Sequence, residues 1–311
     1  MIQIPYVAPM DDVRYGSVEQ LSPLVQRVLA ENPGKYTYRG TGTYIVGTID
    51  VVVIDPGPRI ESHQVALTRA IYGRNVVGIV VTHCHADHSP LSSWLKQHTG
   101  ALTYAYGSHG VTPDLEEVTE NEASNNEDKV DRDFVPDVFV CDGDMIIGTA
   151  EFSMYAVHTP GHTSNHLCVD LPEEQTLFTG DHVMGWSTTV IAPPDGDMAA
   201  YMTSLHKVAN RSDQIWRPTH GNPIEDTDKY VEALITHRTD RENQIIGCLT
   251  GQSQTIDAIV KVLYADVREE LHAPAGRSVL AHLIKLFAEG RVNTTTAESP
   301  RRDSVFVLAA P

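Results

Sequence analysis

Hydrophobic residues occur along the chain in short runs that alternate with longer amphipathic segments. The runs are rich in valine and isoleucine and end in glycine or polar residues, a pattern typical of short β-strands. Strands are predicted at 43–47, 50–57, 76–82, 152–157, 166–171, 176–178 and 215–217. Helices are predicted between them at 61–72, 89–98 and 198–209. Because strands and helices alternate and several runs are apolar throughout, the pattern predicts an α/β fold with strands covered on both faces.

The pattern changes after about residue 240, where helices predominate and a short β-rich tail follows. Helices are predicted at 241–250, 255–264 and 278–289, and a last strand at 304–308. Three helices followed by a hairpin-like tail indicate a small winged-helix-like domain. We therefore predict two domains, 1–240 and 241–311.

The negative charge of the chain belongs to the first predicted domain. The 311 residues contain 41 Asp and Glu and 23 Lys and Arg, which makes a formal net charge of -18 at pH 7. From Arg241 to the end, acidic and basic residues balance at eight each. Strong acidity disfavours binding to nucleic acid or to an anionic membrane surface, since such contacts need Lys and Arg. A neutral winged helix is more often a packing or dimerisation element than a nucleic-acid reader, so a homodimer is one prediction.

Two charged segments have alternative interpretations. The segment 114–133 contains nine acidic and two basic residues. This composition is typical of a solvated surface helix or loop, and a lid over an active site is the alternative.

Arg238 and Arg241 lie one turn apart on a helix predicted over 230–250. We expect them to form salt bridges that join the two domains, rather than a basic track for RNA.

The composition is typical of a cytoplasmic protein. The four cysteines are widely spaced and form no CxxC pair, which argues against a disulfide framework and fits a reducing compartment. The longest apolar runs, 51–54 and 76–81, are far shorter than the roughly 20 residues that a membrane-spanning helix needs. The N-terminus has no basic segment followed by an apolar one, so we expect no secretory signal and no membrane partner.

Four candidate metal ligands lie in the turn that follows the predicted strand 76–82. The motif Thr-His-Cys-His-Ala-Asp-His supplies His83, His85, Asp87 and His88 within six residues. Strand alternation places the first two histidines on one side, and the turn brings the other two side chains to a second position nearby. Imidazole and carboxylate ligands together suit zinc and tolerate manganese or iron. Burying these groups without an ion would be costly, so the motif predicts a metal site.

Three later motifs each place one further ligand-type side chain just after a predicted strand. His162 lies in Thr-Pro-Gly-His, Asp181 in Thr-Gly-Asp and His220 in Thr-His-Gly. Glycine beside each of them lets the backbone approach a crowded site closely. Each motif is a weak signal by itself, but the three in this order indicate that they complete one site.

The order HxHxDH, Gly-His, Gly-Asp and His-Gly resembles the metallo-β-lactamase superfamily over roughly residues 35–225. The resemblance implies an αββα sandwich with a dinuclear metal site at the edge of two sheets. It also implies three ligands for each ion and one bridging carboxylate: His83, His85 and His162; Asp87, His88 and His220; and Asp181. Two divalent ions would then share a hydroxide that attacks a carbonyl carbon or phosphorus. Asp87 would orient this nucleophile and carry a proton toward the leaving group.

The substrate follows less directly from the motifs. An aspartate in the bridging position resembles the thioesterases, lactonases and ribonucleases of the superfamily rather than its β-lactamases. Segments 32–47, 180–190 and 237–245, with the winged-helix tail, resemble the beta-lactamase-like protein two type, a branch that includes a mitochondrial endoribonuclease for single-stranded RNA. Small-molecule ester, thioester or lactone hydrolysis and RNA cleavage are therefore rival hypotheses. The acidic charge favours a small molecule, and a non-catalytic binding protein is disfavoured because all seven ligand positions are filled.

Several other residues lie close in sequence to the motifs. Tyr44, Met184 and Trp186 are the predicted walls of the substrate pocket, because they lie close in sequence to the predicted ligands, and a place in the core is the alternative. Three further histidines are expected to be structural, with hydrogen bonding to the ligands as the alternative: His158, His166 and His182.

Overall fold

The structure of the protein is a computed structural model that describes residues 10–110, 130–266, 272–295 and 299–310. Most of the acidic segment predicted to be a surface helix, loop or lid lies outside these residues, so that prediction stays open. Within the described part of the chain, no helix is both long enough and apolar enough to span a bilayer.

The first sheet has seven strands that follow one another in chain order. They are β1 Val18–Gln20, β2 Val25–Leu29, β3 Gly42–Val46, β4 Asp50–Ile54, β5 Asn75–Val80, β6 Thr103–Ala105 and β7 Val138–Phe139. Strands β1 to β4 pair antiparallel, and β4 to β7 pair parallel. Helices α1 Glu61–Ala70 and α2 Ser92–Thr99 provide crossovers between the parallel strands. The carboxyl ends of β4 and β5 therefore lie side by side at one edge of the sheet.

The second sheet has five strands in the order β12-β11-β10-β9-β8. They are β8 Met145–Gly148, β9 Ser153–His158, β10 Leu167–Leu171, β11 Thr176–Gly180 and β12 Ile215–Pro218. Neighbouring strands are antiparallel except β11 and β12, which are parallel and are joined through helix α3 Met198–Ala209. The ends of β11 and β12 therefore point to the same edge.

Three apolar clusters show that the two sheets are stacked between helices. The middle cluster joins both sheets, with Tyr44 and Ile54 of the first against Met154 and Phe178 of the second. A second cluster packs α1 and α2 on the outer face of the first sheet. A third packs α3 and the following long helix on the outer face of the second sheet. This four-layer arrangement confirms the predicted αββα sandwich.

The C-terminal part forms a separate small core around three helices. They are α4 Thr227–Leu249, α5 Ile256–Leu263 and α6 His272–Ala288, accompanied by β13 Gln254–Thr255, β14 Val292–Thr294 and β15 Val305–Leu308. The strands form a sheet in the order β13-β15-β14. The predicted winged-helix-like unit is present, and its core includes Ile245 and Leu249 of α4. The first half of α4, with Tyr230 and Leu234, packs into the core of the sandwich instead. The predicted boundary at residue 240 thus falls inside one continuous helix and stays a prediction.

Candidate metal centre

The ends of four strands bring the predicted ligands together at one edge of the sandwich. The first motif follows β5, and the later ligands follow β9, β11 and β12. The seven side chains form two groups in which the candidate ligand atoms lie within 4.8 Å of one another: His83, His85, His162 and Asp181; and Asp87, His88 and His220. All of the sequence-predicted site residues therefore lie in one cluster.

The first group is built on close contacts between imidazole nitrogens. The Nδ1 atom of His85 lies 2.8 Å from Nε2 of His83 and 3.1 Å from Nε2 of His162. A carboxylate oxygen, Oδ2 of Asp181, lies 3.8 Å from the same atom of His162. Three ring nitrogens and a carboxylate that converge on one point form a donor set that suits zinc.

The second group lies around carboxylate oxygens of Asp87 and Asp181. The Nε2 atom of His220 lies 3.2 Å from Oδ2 of Asp87 and 3.4 Å from Oδ1 of Asp181. The Nε2 atom of His88 lies 3.4 Å from the same Asp87 oxygen and 3.6 Å from Oδ2 of Asp181. Asp181 thus faces both groups, as a bridging carboxylate must.

Two buried polar atoms indicate that the cluster fits metal ions. Nε2 of His88 and Oδ1 of Asp181 have no hydrogen-bond partner among the described residues, although His88 is fully buried and Asp181 is 7% exposed. Buried polar atoms are normally paired, so two unpaired atoms in one cluster need another explanation. Divalent ions bound between them would supply the missing partners.

Hydrogen bonds on the far side of the rings orient the proposed donor atoms. The Nδ1–H of His162 donates to the carbonyl of Val190 at 2.7 Å, and that of His220 donates to the carbonyl of Gly40 at 3.1 Å. Because a carbonyl can only accept, Nδ1 carries a proton in both rings, and Nε2 is the nitrogen that points toward the centre of the cluster. Ligating histidines are commonly held in this way.

Asp55 is the functional residue that sequence reasoning missed. It follows β4 in a left-handed conformation with φ 48° and is fully buried. Its Oδ1 accepts from the backbone N–H of Thr82, and its Oδ2 accepts from the Thr82 hydroxyl, both at 2.8 Å. The same Oδ2 lies 2.8 Å from Nδ1 of His88 and accepts from the Thr219 hydroxyl at 3.2 Å. The signal for it in the sequence is an Asp-Pro-Gly triplet after an apolar run, and the predicted strand 50–57 includes this triplet.

Two other residues, Thr41 and His166, hydrogen-bond to predicted ligand residues. The hydroxyl of Thr41 donates to Oδ2 of Asp87 at 2.8 Å. The Nε2 atom of His166 accepts from the backbone N–H of Asp181 at 3.1 Å. His166 therefore hydrogen-bonds to a predicted ligand residue, whereas His158 stacks on the ring of Tyr106 with 3.6 Å between centroids.

The electrostatics divide the cluster into a cationic and a neutral side. Burial alone would lower the pKa of His88, but the carboxylates of Asp87 and Asp181 raise it well above its ordinary value. The same carboxylates raise the pKa of His220 to about 10 despite its burial. On the other side, burial and a neighbouring imidazole lower the pKa of His85 to about 3. Because the pKa values of His88 and His220 are raised, binding of ions to them would release protons.

The predicted pocket walls are only partly accessible. Tyr44 and Met184 are buried, and the Tyr44 hydroxyl donates to the carbonyl of Pro218 at 2.6 Å. Trp186 is half-buried and stacks on Tyr38, with 5.0 Å between ring centroids and 10° between planes. Of the three predicted residues, Trp186 is the one that remains available at the surface.

A buried cluster of histidines and aspartates at the strand ends of an αββα sandwich is the mark of a metallohydrolase. The model of the metallo-beta-lactamase superfamily matches residues 38–215, and the model of the beta-lactamase associated winged helix domain matches residues 255–299. The chain therefore belongs to the metallo-beta-lactamase superfamily and is a hydrolase, as the resemblance implied. The roles of individual ligand residues are not settled by these matches and stay predictions.

Curated relatives cover most of the chain. A beta-lactamase-like protein 2 homolog from Caenorhabditis elegans is 31% identical over 91% of this chain and 90% of its own length. An atrochrysone carboxyl ACP thioesterase from Aspergillus fumigatus is 30% identical over 86% of this chain and 83% of its own length.

A solved structure supports the two-part architecture. The crystal structure of a beta-lactamase domain protein from Burkholderia ambifaria superposes with a TM-score of 0.80, at 18% identity, over 97% of both chains. At this identity the likeness concerns the fold alone.

Proposed function

We propose that the protein is a dinuclear metal-dependent hydrolase that cleaves small-molecule thioesters or related esters and lactones. The observation that carries the proposal is the convergence of seven ligand-type side chains in two adjoining groups within 4.8 Å. Zinc is the expected ion because the donors are imidazole and carboxylate, with manganese and iron as alternatives. The thioester preference draws support from the Aspergillus fumigatus relative, whose name describes a thioesterase.

The two groups would each hold one ion, and one carboxylate would be shared. The first site would use His83, His85 and His162, and the second would use Asp87, His88 and His220. Asp181 would bridge them, since its two oxygens face imidazoles of both groups at 3.4 to 3.8 Å. Two divalent ions held there would supply Lewis acidity and lower the pKa of a bound water molecule.

The residues of the chain supply orientation and proton transfer. Thr41 and His220 both contact Oδ2 of Asp87, and these contacts restrain the carboxylate. Oδ1 of Asp87 takes part in neither of them. We assign to Asp87 the role of orienting the nucleophile and carrying a proton to the leaving group. Burial of the surrounding histidines excludes bulk water, which strengthens each electrostatic contact in the site.

Cleavage of single-stranded RNA is the second candidate. Its support is indirect. The Caenorhabditis elegans relative is named a beta-lactamase-like protein 2 homolog, and the branch of that name, which this sequence resembles, includes an endoribonuclease. An RNase needs a basic track toward the site, whereas the excess acidic charge lies in the domain that carries the cluster. β-Lactamase activity ranks below both, because an aspartate occupies the bridging position. A cytoplasmic location and a homodimer stay predictions from the sequence.

Metal analysis followed by a substrate panel tests the proposal. We expect about two divalent ions per chain, turnover of thioester or lactone substrates, and reversible loss of activity with a chelator. His162→Ala and Asp181→Ala should lose bound metal and hydrolysis together. His206→Ala, at an exposed histidine of α3, is the matched control and should keep both.

Three outcomes would contradict parts of the proposal. Full metal content and undiminished activity in Asp181→Ala would refute the ligand assignment. RNA cleavage that weakens with added salt, without thioester or lactone turnover, would replace the small-molecule substrate by RNA. Turnover of lactam substrates alone would identify a β-lactamase.

A further inference from the structure

A buried arginine on α4 contacts the loop beside the metal centre. Arg238 is 3% exposed, and its Nη2 donates to the carbonyl of Thr189. Its guanidinium carbon lies 5.3 Å from the centre of the Tyr201 ring. Among the described residues its Nε has no hydrogen-bond partner, and no ion pair there includes it. A guanidinium buried without a carboxylate is costly. The expected salt bridge between domains therefore does not explain this residue.

The loop that Arg238 contacts touches two of the proposed ligands. The hydroxyl of Thr189 donates to the backbone carbonyl of Asp181 at 2.8 Å. The next residue, Val190, accepts from Nδ1 of His162 at 2.7 Å through its carbonyl. Two consecutive residues thus hold the backbone of one ligand and the ring of another.

We propose that Arg238 is a positioning residue for the metal centre, acting through Thr189 and Val190 on Asp181 and His162. The proposal rests on the proposed function, because it takes these two side chains as metal ligands. Arg238 holds the carbonyl of Thr189, which belongs to the peptide plane that leads into Val190. Restraining that plane limits rotation of the Val190 carbonyl, and this carbonyl sets the ring orientation of His162.

The position of Arg238 on α4 links the centre to the winged-helix-like unit. Leu234 of the same helix packs in the sandwich, and Ile245 packs in the C-terminal core. One turn beyond Arg238, Glu242 pairs with Lys285 of α6 at 2.8 Å. Packing of the C-terminal unit therefore fixes the helix that carries the positioning residue.

Arg241 on the same helix provides a matched control. It is 7% exposed, its Nη1 donates to the carbonyl of Leu263 at 3.5 Å, and its guanidinium carbon lies 4.3 Å from the centre of the Tyr264 ring. Like Arg238, it is a buried arginine that contacts a main-chain carbonyl and a tyrosine. Its contacts lie in the C-terminal unit instead of the ligand loop.

The test compares Arg238→Gln with Arg241→Gln in the full-length protein. The Zn²⁺ dissociation constant is measured by competition with a chromogenic chelator, and ligand geometry is followed in the absorption spectrum of the Co²⁺-loaded protein. We expect Arg238→Gln to weaken Zn²⁺ binding about 10-fold or more and to alter the Co²⁺ spectrum. Arg241→Gln should bind Zn²⁺ within about twofold of the wild type, even if both variants unfold more easily.

Two further variants keep the test decisive. Arg238→Lys retains a donor and should recover part of the Zn²⁺ affinity. If Arg238→Gln does not fold, Arg238→Lys should still bind Zn²⁺ several-fold more weakly than the wild type. Thr189→Val removes the contact to Asp181 in a side chain of similar shape, and it should weaken Zn²⁺ binding in the same direction.

Several results would overturn the positioning role. The first is folded Arg238→Gln with the wild-type Zn²⁺ dissociation constant and Co²⁺ spectrum. The second is the same wild-type values in Arg238→Lys, if only that variant folds. The third is Arg241→Gln that binds Zn²⁺ as weakly as Arg238→Gln does. Wild-type protein that binds neither ion would refute the proposed function itself, and the positioning role with it.

Discussion

Asp55→Asn tests whether the buried carboxylate behind the second ligand group supports both folding and metal binding. Asparagine has nearly the same shape and tolerates the left-handed conformation with φ 48° that Asp55 adopts. The substitution therefore removes charge and one acceptor without straining the backbone. Oδ2 meets three donor groups, from Thr82, His88 and Thr219, whereas Oδ1 meets the backbone N–H of Thr82.

The size of the expected stability loss depends on the orientation of the asparagine side-chain amide. Its oxygen should take the Oδ2 position, because the alternative sets an NH₂ group against three donors. The NH₂ group then faces the buried N–H of Thr82, and one charge-assisted hydrogen bond worth about 1.5 to 3 kcal/mol is lost. His88 keeps an oxygen acceptor that is no longer charged. We expect its ion to bind about tenfold more weakly, which corresponds to about 1.4 kcal/mol.

Urea unfolding of metal-free protein and Zn²⁺ competition measure the two effects separately. Asp170→Asn is the control, because Asp170 is a half-buried aspartate of β10 paired with Arg211 at 2.8 Å. It should leave the Zn²⁺ affinity unchanged. Asp55→Asn with wild-type affinity, or with an unfolding free energy within about 0.5 kcal/mol of the wild type, would refute this account of Asp55.

Three further predictions address other parts of the structure. Thr41→Val removes the hydroxyl that donates to Asp87 and should lower kcat about 3- to 10-fold in folded protein, as steady-state kinetics would measure. Gly161→Ala should lower the unfolding free energy by about 2 kcal/mol or more in urea titration, because φ is 137° and the added Cβ would lie 2.3 Å from the Cα of Tyr201. Burial alone would raise the pKa of Glu242, but its hydrogen bonds to a histidine and to cations lower it to about 2. Its contribution to stability should be full above pH 4.5 and lost as the pH falls toward 2. Glu242→Gln should therefore reduce the change in Tm with pH over that range, as thermal unfolding at a series of pH values would measure.

Each of these predictions has a distinguishing result. Unchanged kcat in Thr41→Val would show that Asp87 needs no support from the hydroxyl. Gly161→Ala with wild-type stability would contradict the close approach of α3 to this loop. An acid profile of Glu242→Gln that matches the wild type would assign the acid sensitivity to other carboxylates.

Local patterns in the sequence predicted most of the secondary structure near the site. The seven strands predicted in the first domain correspond to β3, β4, β5, β9, β10, β11 and β12, each within a few residues of the prediction. Such strands can be read from sequence because both of their faces are buried. By contrast, β1 and β2 were missed, since polar residues interrupt them. Arg27 in β2 is 5% exposed and pairs with Glu19 at 2.7 Å, a burial that only the partner strand explains.

The sequence by itself predicted the donor groups of the proposed centre, because the ligand-type residues and their order lie in short motifs beside strand ends and glycines. It also determined the division of charge between an acidic sandwich and a neutral tail. The tertiary structure decided which residues support the ligands. Asp55 contacts His88 across 33 residues of sequence, Thr41 contacts Asp87 across 46, and Arg238 contacts Thr189 across 49. Contacts of this kind depend on how sheets, loops and α4 pack together, and no local pattern encodes that packing.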